Sequence, residues 1–254
     1  MITACLTGGI ANNLFQVSAG YALARKIGVE FVINYNISNA KSNFYDTKSY
    51  KRSLFKNIKE TNYLDFNNYH QEGFSYKPLP LKDNLCLIGF FQSELFFDRY
   101  QNEIKKLINF PKLVKKKVDK KLKKIKRKKV GVHIRWGSYK NTPTLLPPMP
   151  KIYFDLAMRK FTDVEFILFT DDLETVNKQF DISVFKRLNN KTDIEDLYAM
   201  TQCDSMIMSN SSFSWWGSWL GIEKEKIIVP PIWFGIAGPT DVQDLIPKQW
   251  DILT

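Results

Sequence analysis

A chain of 254 residues with 44% hydrophobic and 25% charged residues has the composition of a soluble globular protein, long enough for one large core or two compact ones. No apolar run reaches the length of a membrane span, which excludes a helical membrane protein. The net charge of +11 is local: Lys115–Lys129 holds eleven Lys/Arg and one Asp, so the remainder is close to neutral.

The start, MITACLTGG, has no basic stretch and turns to glycine early, so no signal peptide is expected. Three widely spaced cysteines, Cys5, Cys86 and Cys203, match neither a disulfide framework nor a zinc knuckle and point to a reducing compartment.

Thr3–Leu6 reads as a buried strand ending at Thr7-Gly8-Gly9. A helix follows with Leu14, Phe15, Ala19, Ala22 and Leu23 inward and Gly28 closing it, then a second strand at Glu30–Ile33. This order opens a parallel α/β unit. Asn34–Asn84 is rich in Asn, Tyr, Lys and Ser and reads as irregular, with a short helix near Lys51–Lys59. Leu85–Gly89 is expected as a strand and Asp98–Asn109 as a helix, after which Pro111 breaks the chain. The boundary falls there, giving domains 1–110 and 111–254.

In and before the lysine-rich run, Val114, Val118, Leu122 and Ile125 recur at helical spacing. Its lysines read either as a solvated face or as a surface for anionic lipid. Nucleic acid is not expected, because no aromatics interleave and no nucleic-acid module accompanies the run. The location read from this is cytoplasmic, peripheral at the inner face of a membrane.

Lys129–Ile134 (KVGVHI) is β-branched and reads as a strand delivering His133, Arg135 and Gly137 to its carboxyl end, where α/β sheets bind ligands. His133 and Arg135, two apart, share a face. A guanidinium there can grip phosphate in a bidentate fork or form a surface salt bridge. The imidazole can likewise be a core histidine. A proline-rich loop, Ser138–Pro150, leads to a helix at Lys151–Lys160. Glu165–Thr170 is a strand ending in Asp171-Asp172, which reads as a turn or helix cap.

Thr192 and Glu195 fit a capping box at the start of a helix whose Ile194, Leu197 and Tyr198 face inward. Ser205–Met208 is a short strand, followed by Ser209-Asn210-Ser211-Ser212 and a helix at Phe213–Leu220. Strand, polar turn and helix start make an anion site. The same residues read equally as a capped packing helix with Trp215, Trp216 and Trp219 in the core. Lys226–Val229 is a last strand before an irregular tail. No metal-ligand motif occurs, and G-x-S-x-G is absent.

Four stretches, in order, resemble the α1,2-fucosyltransferase family, glycosyltransferase family 11. GGIANNLFQ from Gly8 is similar to the family's GG-L-G-N-Q-L-F-Q, GFFQSELFF from Gly89 to G-Y-F-Q-S-E-x-Y-F, and HIRWGSY from His133 to H-x-R-R-G-D-Y. FTDD at Phe169 with DIEDLYAMTQCDSMIMSNSSFSWWGSWL is similar to S-D-D and D-x-x-x-M…N-S-S-F-S-W-W-G-A-W-L. The resemblance implies a GT-B fold, two Rossmann-like domains facing across a cleft. The N-terminal domain would serve the acceptor and the C-terminal one GDP-fucose. It also implies inverting transfer of L-fucose to a sugar hydroxyl, galactose O2 in an α1,2 linkage, with no metal and no cofactor.

On that resemblance Arg135 holds the β-phosphate and stabilises the leaving GDP. His133 and Asp196 face the guanosine, Asp196 accepting from guanine N1–H and its amino group. Ser211, Ser212 and Phe213 contact phosphate, and Gly9 and Asn12 line the N-terminal side. Glu94 or Asp98 stands for the unassigned general base. The partners are then GDP-fucose, a galactose-terminated glycan, and anionic membrane through Lys115–Lys129. Ala11, Asn13, Trp136 and Ser138 depart from the family pattern, the last two replacing an arginine and an aspartate. These departures keep two alternatives open: a different nucleotide-sugar donor, or a non-catalytic sugar-nucleotide or glycan-binding protein.

Overall fold

The computed structural model describes residues 1–37 and 47–253. The chain divides into two compact units, Met1–Pro111 with Pro239–Pro247, and Lys112–Gly238 with Lys248–Thr254. The segment 239–247, expected with the second domain, belongs to the first unit because its carboxylates Asp241 and Asp244 accept backbone N–H groups of residues 74–76.

In the first unit β1 (Ile2–Ala4) is fully buried and leads through Gly8-Gly9 into α1 (Ile10–Ile27). Helix α1 ends at Gly28 in the left-handed region, with Arg25 and Lys26 in its last turn where the helix dipole favours cations. β2 (Val32–Ile33) pairs in parallel with β3 (Lys59–Glu60), and the bridge Ile2↔Phe31 joins this pair to β1. β4 (Asn67–His70) and β5 (Leu85–Ile88) complete a parallel sheet of order β1-β5-β4.

The polar stretch is therefore not wholly irregular. β4 reads NNYH and is largely exposed, an edge strand held by its backbone ladder without the alternation that marks a buried face. The helix expected at 51–59 does not form. A 3-10 turn at Thr47–Tyr50 and further turns precede β3 there. The part of the irregular stretch at 38–46 lies outside the described residues. Two 3-10 turns, Glu94–Phe96 and Asp98–Tyr100, precede a shorter helix than expected, α2 (Gln101–Leu107).

The second unit starts after Pro111 with the lysine-rich α3 (Lys112–Leu122), which buries Val118 and Leu122. Six parallel strands follow: β6 (Lys128–Ile134), β7 (Val164–Thr170), β8 (Phe185–Lys186), β9 (Ser205–Ile207), β10 (Lys226–Val229) and β11 (Asp251–Ile252). Between them lie α4 (Lys151–Met158), α5 (Leu173–Gln179), α6 (Asp193–Thr201) and α7 (Ser212–Trp219). The two-residue strands β8 and β11 are too short to leave a periodic signal in the sequence.

The strand order is β11-β10-β9-β6-β7-β8. The unit's first strand is central, the next two extend to one side and the last three to the other, the doubly wound nucleotide-binding order. The direction of winding switches between β6 and β9, which pair at Val130↔Ser205 through Val132↔Ile207. One core packs Val130, Val132, Ile134, Trp136, Phe154 and Ile207 together. Trp215, Trp216 and Trp219 pack on one another, with Trp250 5.3 Å from Trp215, so the three tryptophans of α7 are core as expected.

Candidate active site

The carboxyl ends of β6 and β9 meet at the switch point. Ser209, fully buried just past β9, bridges them: its hydroxyl donates to His133 O at 2.8 Å and accepts from Arg135 N at 3.0 Å. Arg135 then turns toward β7. Its Nη1 lies 3.0 Å from Asp171 Oδ2, its Nη2 donates to Ser138 Oγ at 3.0 Å, and the guanidinium stands 5.6 Å from the Tyr139 ring centroid. The other Asp171 oxygen accepts from Trp136 N (3.1 Å) and Gly137 N (3.2 Å). Two of five guanidinium N–H groups are thus spent on fixing its plane, and the side chain keeps partial exposure.

His133 is buried near the carboxyl end of β6, its ring 5.8 Å from that of Phe213. Burial first, and the Arg135 charge second, push its pKa down to about 3, so the imidazole is neutral. Its Nδ1 has no hydrogen-bond partner among the described residues.

Helix α7 opens on Ser211, in extended conformation, whose hydroxyl accepts from Phe213 N at 3.3 Å. Ser211 is buried, while Ser212 and Phe213 are half-buried. The cap leaves the ligand reading of this turn open, because a hydroxyl that accepts from the helix keeps its own proton to donate. Asn210 fixes the turn from behind, its side-chain amide donating to Pro147 O and Trp233 O and its backbone carbonyl accepting from Tyr139 Oη.

One strand over, a cavity of about 110 Å³ is lined by Phe169 and Thr170 of β7, Arg187 and Asn190 after β8, and Asp196 of α6. Asp196 Oδ1 accepts from Asn190 Nδ2 at 2.9 Å, and burial raises its pKa above the usual carboxylate value. The helix start carrying Asp196 is capped by Thr192, whose hydroxyl accepts from Glu195 N at 3.2 Å. Glu195 accepts from Lys191 N rather than from the cap residue, and pairs with Lys117 (2.5 Å) and Lys121 (3.7 Å) of α3.

Gly9 and Asn12 belong to the first unit, at the carboxyl end of β1. Gly8 sits at φ +72, where a Cβ would come 2.5 Å from the Asn12 amide. Asn12 Oδ1 accepts from Gln92 Nε2 at 2.9 Å. The buried Asn13 donates to Thr7 O at 3.0 Å, and Gln16 holds both Thr7 and Gly89 O, so this departure from the family pattern laces the turn. Glu94 and Asp98 stand on the 3-10 turns after β5. Among the described residues no three His, Cys, Asp or Glu side chains gather as a metal site.

The structure therefore brings His133, Arg135, Ser211 and Phe213 to the switch point with Ser212 beside them, sets Asp196 in the adjacent cavity, and leaves Gly9 and Asn12 on the other unit. Sequence reasoning missed Asp171, Ser209 and Asn190 as partners of the site. Asp171 had a signal: β6 and β7 are in parallel register up to Ile134↔Thr170, so the next residues, Arg135 and Asp171, must be neighbours. Asn190 had none.

Trp136 is core. It is almost fully buried, stacks on Phe180 (5.8 Å, 28°) and donates from Nε1 to Met149 O at 2.8 Å.

Two α/β units, each built on a parallel sheet and one of them in nucleotide-binding strand order with a polar turn at its switch point, define a GT-B-type glycosyltransferase fold. Residues 3–252 match the model of Glycosyl transferase family 11, and the chain belongs to that family. The O-antigen biosynthesis glycosyltransferase WbnK of Escherichia coli is 25% identical, with 91% of this chain and 94% of that protein covered. An alpha-1,2-colitosyltransferase of Escherichia coli is 26% identical over 98% of both chains. Among solved structures, the fucosyltransferase NodZ from Bradyrhizobium superposes with a TM-score of 0.56 at 14% identity, covering 86% of this chain and 93% of that one. The NodZ α-1,6-fucosyltransferase co-crystallised with GDP gives 0.57 at 14% identity, covering 86% and 92%.

Proposed function

We propose that this glycosyltransferase moves L-fucose from GDP-fucose to a sugar hydroxyl, galactose O2, in an inverting, metal-independent reaction. The observation that carries this reading is Arg135, oriented by Asp171 and Ser138 beside the Ser211 turn at the switch point. There a fixed guanidinium meets the charge that grows on the departing diphosphate. The acceptor oxygen attacks the anomeric carbon from the face opposite GDP. The carbon–phosphate-oxygen bond breaks, the electron pair leaves with the β-phosphate, and the acceptor proton passes to a base, assigned here to Glu94 or Asp98 of the acceptor-side unit. Ser211, Ser212 and Phe213 contribute phosphate contacts, Asp196 takes the guanine edge in its cavity, and His133 packs as a neutral group against the nucleoside. Gly9 and Asn12 complete the N-terminal side, the second unit serving as the donor domain.

Labelled GDP-fucose with a panel of β-galactosides tests this. Transfer to O2 is the expected outcome, and the absence of both transfer and donor hydrolysis sinks it. The 26% identical colitosyltransferase favours a second reading, in which the donor sugar differs while the α1,2 linkage is kept. Competition between GDP-linked sugars separates the two. A binding-only protein loses its motive, since Trp136 is explained by core packing and Ser138 still contacts Arg135.

No helix among the described residues is long and apolar enough to cross a membrane. A peripheral place on the cytoplasmic face is supported by α3, where Lys112, Lys116 and Lys120 fall on one exposed side with Leu113, 81% exposed, beside them and the exposed Lys123 just past the helix end. Sedimentation with anionic liposomes should lose the protein when three of these lysines become glutamate. Unchanged sedimentation would leave them as a solvated face.

A further inference from the structure

In the first unit the loops after β1, β4 and β5 all emerge at the carboxyl edge of one sheet, the edge where α/β folds place ligands. Two of them are clamped in ways that ordinary loop packing does not require. Gln71, after β4, accepts from both Phe90 N (2.9 Å) and Phe91 N (2.8 Å) through one Oε1. Phe91 is held at φ +52, rare for a bulky side chain, and Gly89 at φ +158, where a Cβ would come 2.5 Å from that of Gln71. The consequence is a division of two adjacent rings. Phe91 turns fully inward against Phe96, while Phe90 turns outward and stays 39% exposed.

The second clamp comes from far along the chain. Asp241 Oδ2 accepts from Phe74 N (2.6 Å) and Ser75 N (3.2 Å), and Asp244 Oδ2 accepts from Tyr76 N (3.0 Å). This sets the half-buried Phe74 ring 5.8 Å from Phe90 with only 32° between their planes. Gln16, which donates to Gly89 O and Thr7 Oγ1, and Gln92, which donates to Asn12, tie the pair to the glycine turn of the site.

We infer that Phe74 and Phe90 form a binding platform for a pyranose ring of the acceptor glycan, resting on the glycosyl-transfer reading above. The apolar C–H face of a sugar complements an aromatic face, and Phe74 and Phe90, 5.8 Å apart and tilted by 32°, offer two such rings together. The strained turn at Gly89 and Phe91 sends Phe91 into the core and leaves Phe90 on the surface beside Phe74. The clamping carboxylates are engaged by backbone N–H groups of residues 74–76 and by the Ser75 hydroxyl, and both platform rings are uncharged, which suits a neutral sugar.

The full-length protein, loaded with GDP, is applied to an array of neutral oligosaccharides as wild type, Phe90→Ala and Phe90→Trp. GDP affinity is measured by calorimetry and folding by thermal melting. Wild type should retain a set of glycans that Phe90→Ala loses by about tenfold and Phe90→Trp keeps, with GDP affinity and melting equal in all three. Equal glycan retention by Phe90→Ala, or none by wild type, overturns the platform. Failure of wild type to bind GDP overturns the donor assignment instead, and leaves the array result to judge the platform by itself.

Discussion

Arg135 and Asp171 are neighbours because two strands are in register. β6 and β7 pair in parallel to Ile134↔Thr170, and the next residue on each carries the charge, placing Nη1 and Oδ2 3.0 Å apart. Since Asp171 also accepts two backbone N–H groups, it is fixed before Arg135 reaches it. Removing the carboxylate charge should therefore disturb the guanidinium more than the fold. Asp171→Asn, which keeps an acceptor for both N–H groups, is expected to lower kcat about tenfold with melting little changed. Arg135→Ala should lower kcat by about two to three orders of magnitude, the size of a lost oxyanion donor. Steady-state kinetics with GDP-fucose check both, and an unaltered kcat in Arg135→Ala would remove it from the leaving-group role.

His133 sets a pH signature. Its folded pKa of about 3 lies below the ordinary 6.5, so between those values the unfolded chain binds a proton that the folded chain refuses. Stability therefore falls as pH drops through 6.5 toward 3, approaching about 1.4 kcal/mol per pH unit from this group. Asp196, with a raised pKa, acts in the opposite sense, so the comparison needs a control. His133→Phe removes the proton site in a buried apolar setting. Its melting temperature should decline less between pH 7 and pH 5 than wild type's, and parallel declines would show that the imidazole is not held neutral.

The Asp196 cavity predicts base selectivity. A carboxylate fixed by Asn190 in this cavity would accept from the N1–H and exocyclic amine of guanine if the base binds as proposed, whereas adenine presents no such pair. GDP should bind more tightly than IDP, and IDP more tightly than ADP or UDP. Asp196→Ala should lower GDP affinity by about 10- to 100-fold, as for a lost charged hydrogen-bonding partner. Calorimetry across the four nucleotides decides this, and equal affinities would dissociate the cavity from the base.

Strands such as β6 and β7 were legible in the sequence because buried parallel strands are continuous apolar runs, and α1 and α6 because their ends carry glycine or a Thr/Glu box. β4, β8 and β11 were not, since β8 and β11 are two residues long and β4 is largely exposed. The same contrast runs through the site. His133, Arg135 and Ser211 sit in motifs at strand ends. Asn190 lies in a loop where its place beside Asp196 depends on tertiary packing against Lys121 of α3, which donates to its Oδ1 at 2.7 Å. The return of 239–247 to the first unit was hidden for a similar reason. Its carboxylates are recognised by backbone N–H groups, which leave no mark on residue type.

Trp136 occupies the position of a family arginine, and its surroundings say what restoring that arginine would do. The indole stacks on Phe180, meets Phe154 edge-on at 6.2 Å and spends its only donor on Met149 O. Phenylalanine would keep the stack and lose one hydrogen bond, a loss of about 1 to 2 kcal/mol. Arginine would bring a charge among Val132, Phe154 and Phe180 and should destabilise by about 3 kcal/mol or more. Urea unfolding of Trp136→Phe and Trp136→Arg measures both, with GDP affinity as the second readout. The Phe variant is expected to bind GDP as wild type does. If it instead unfolded normally but lost nucleotide or acceptor binding, Trp136 would be a ligand contact and not a core residue.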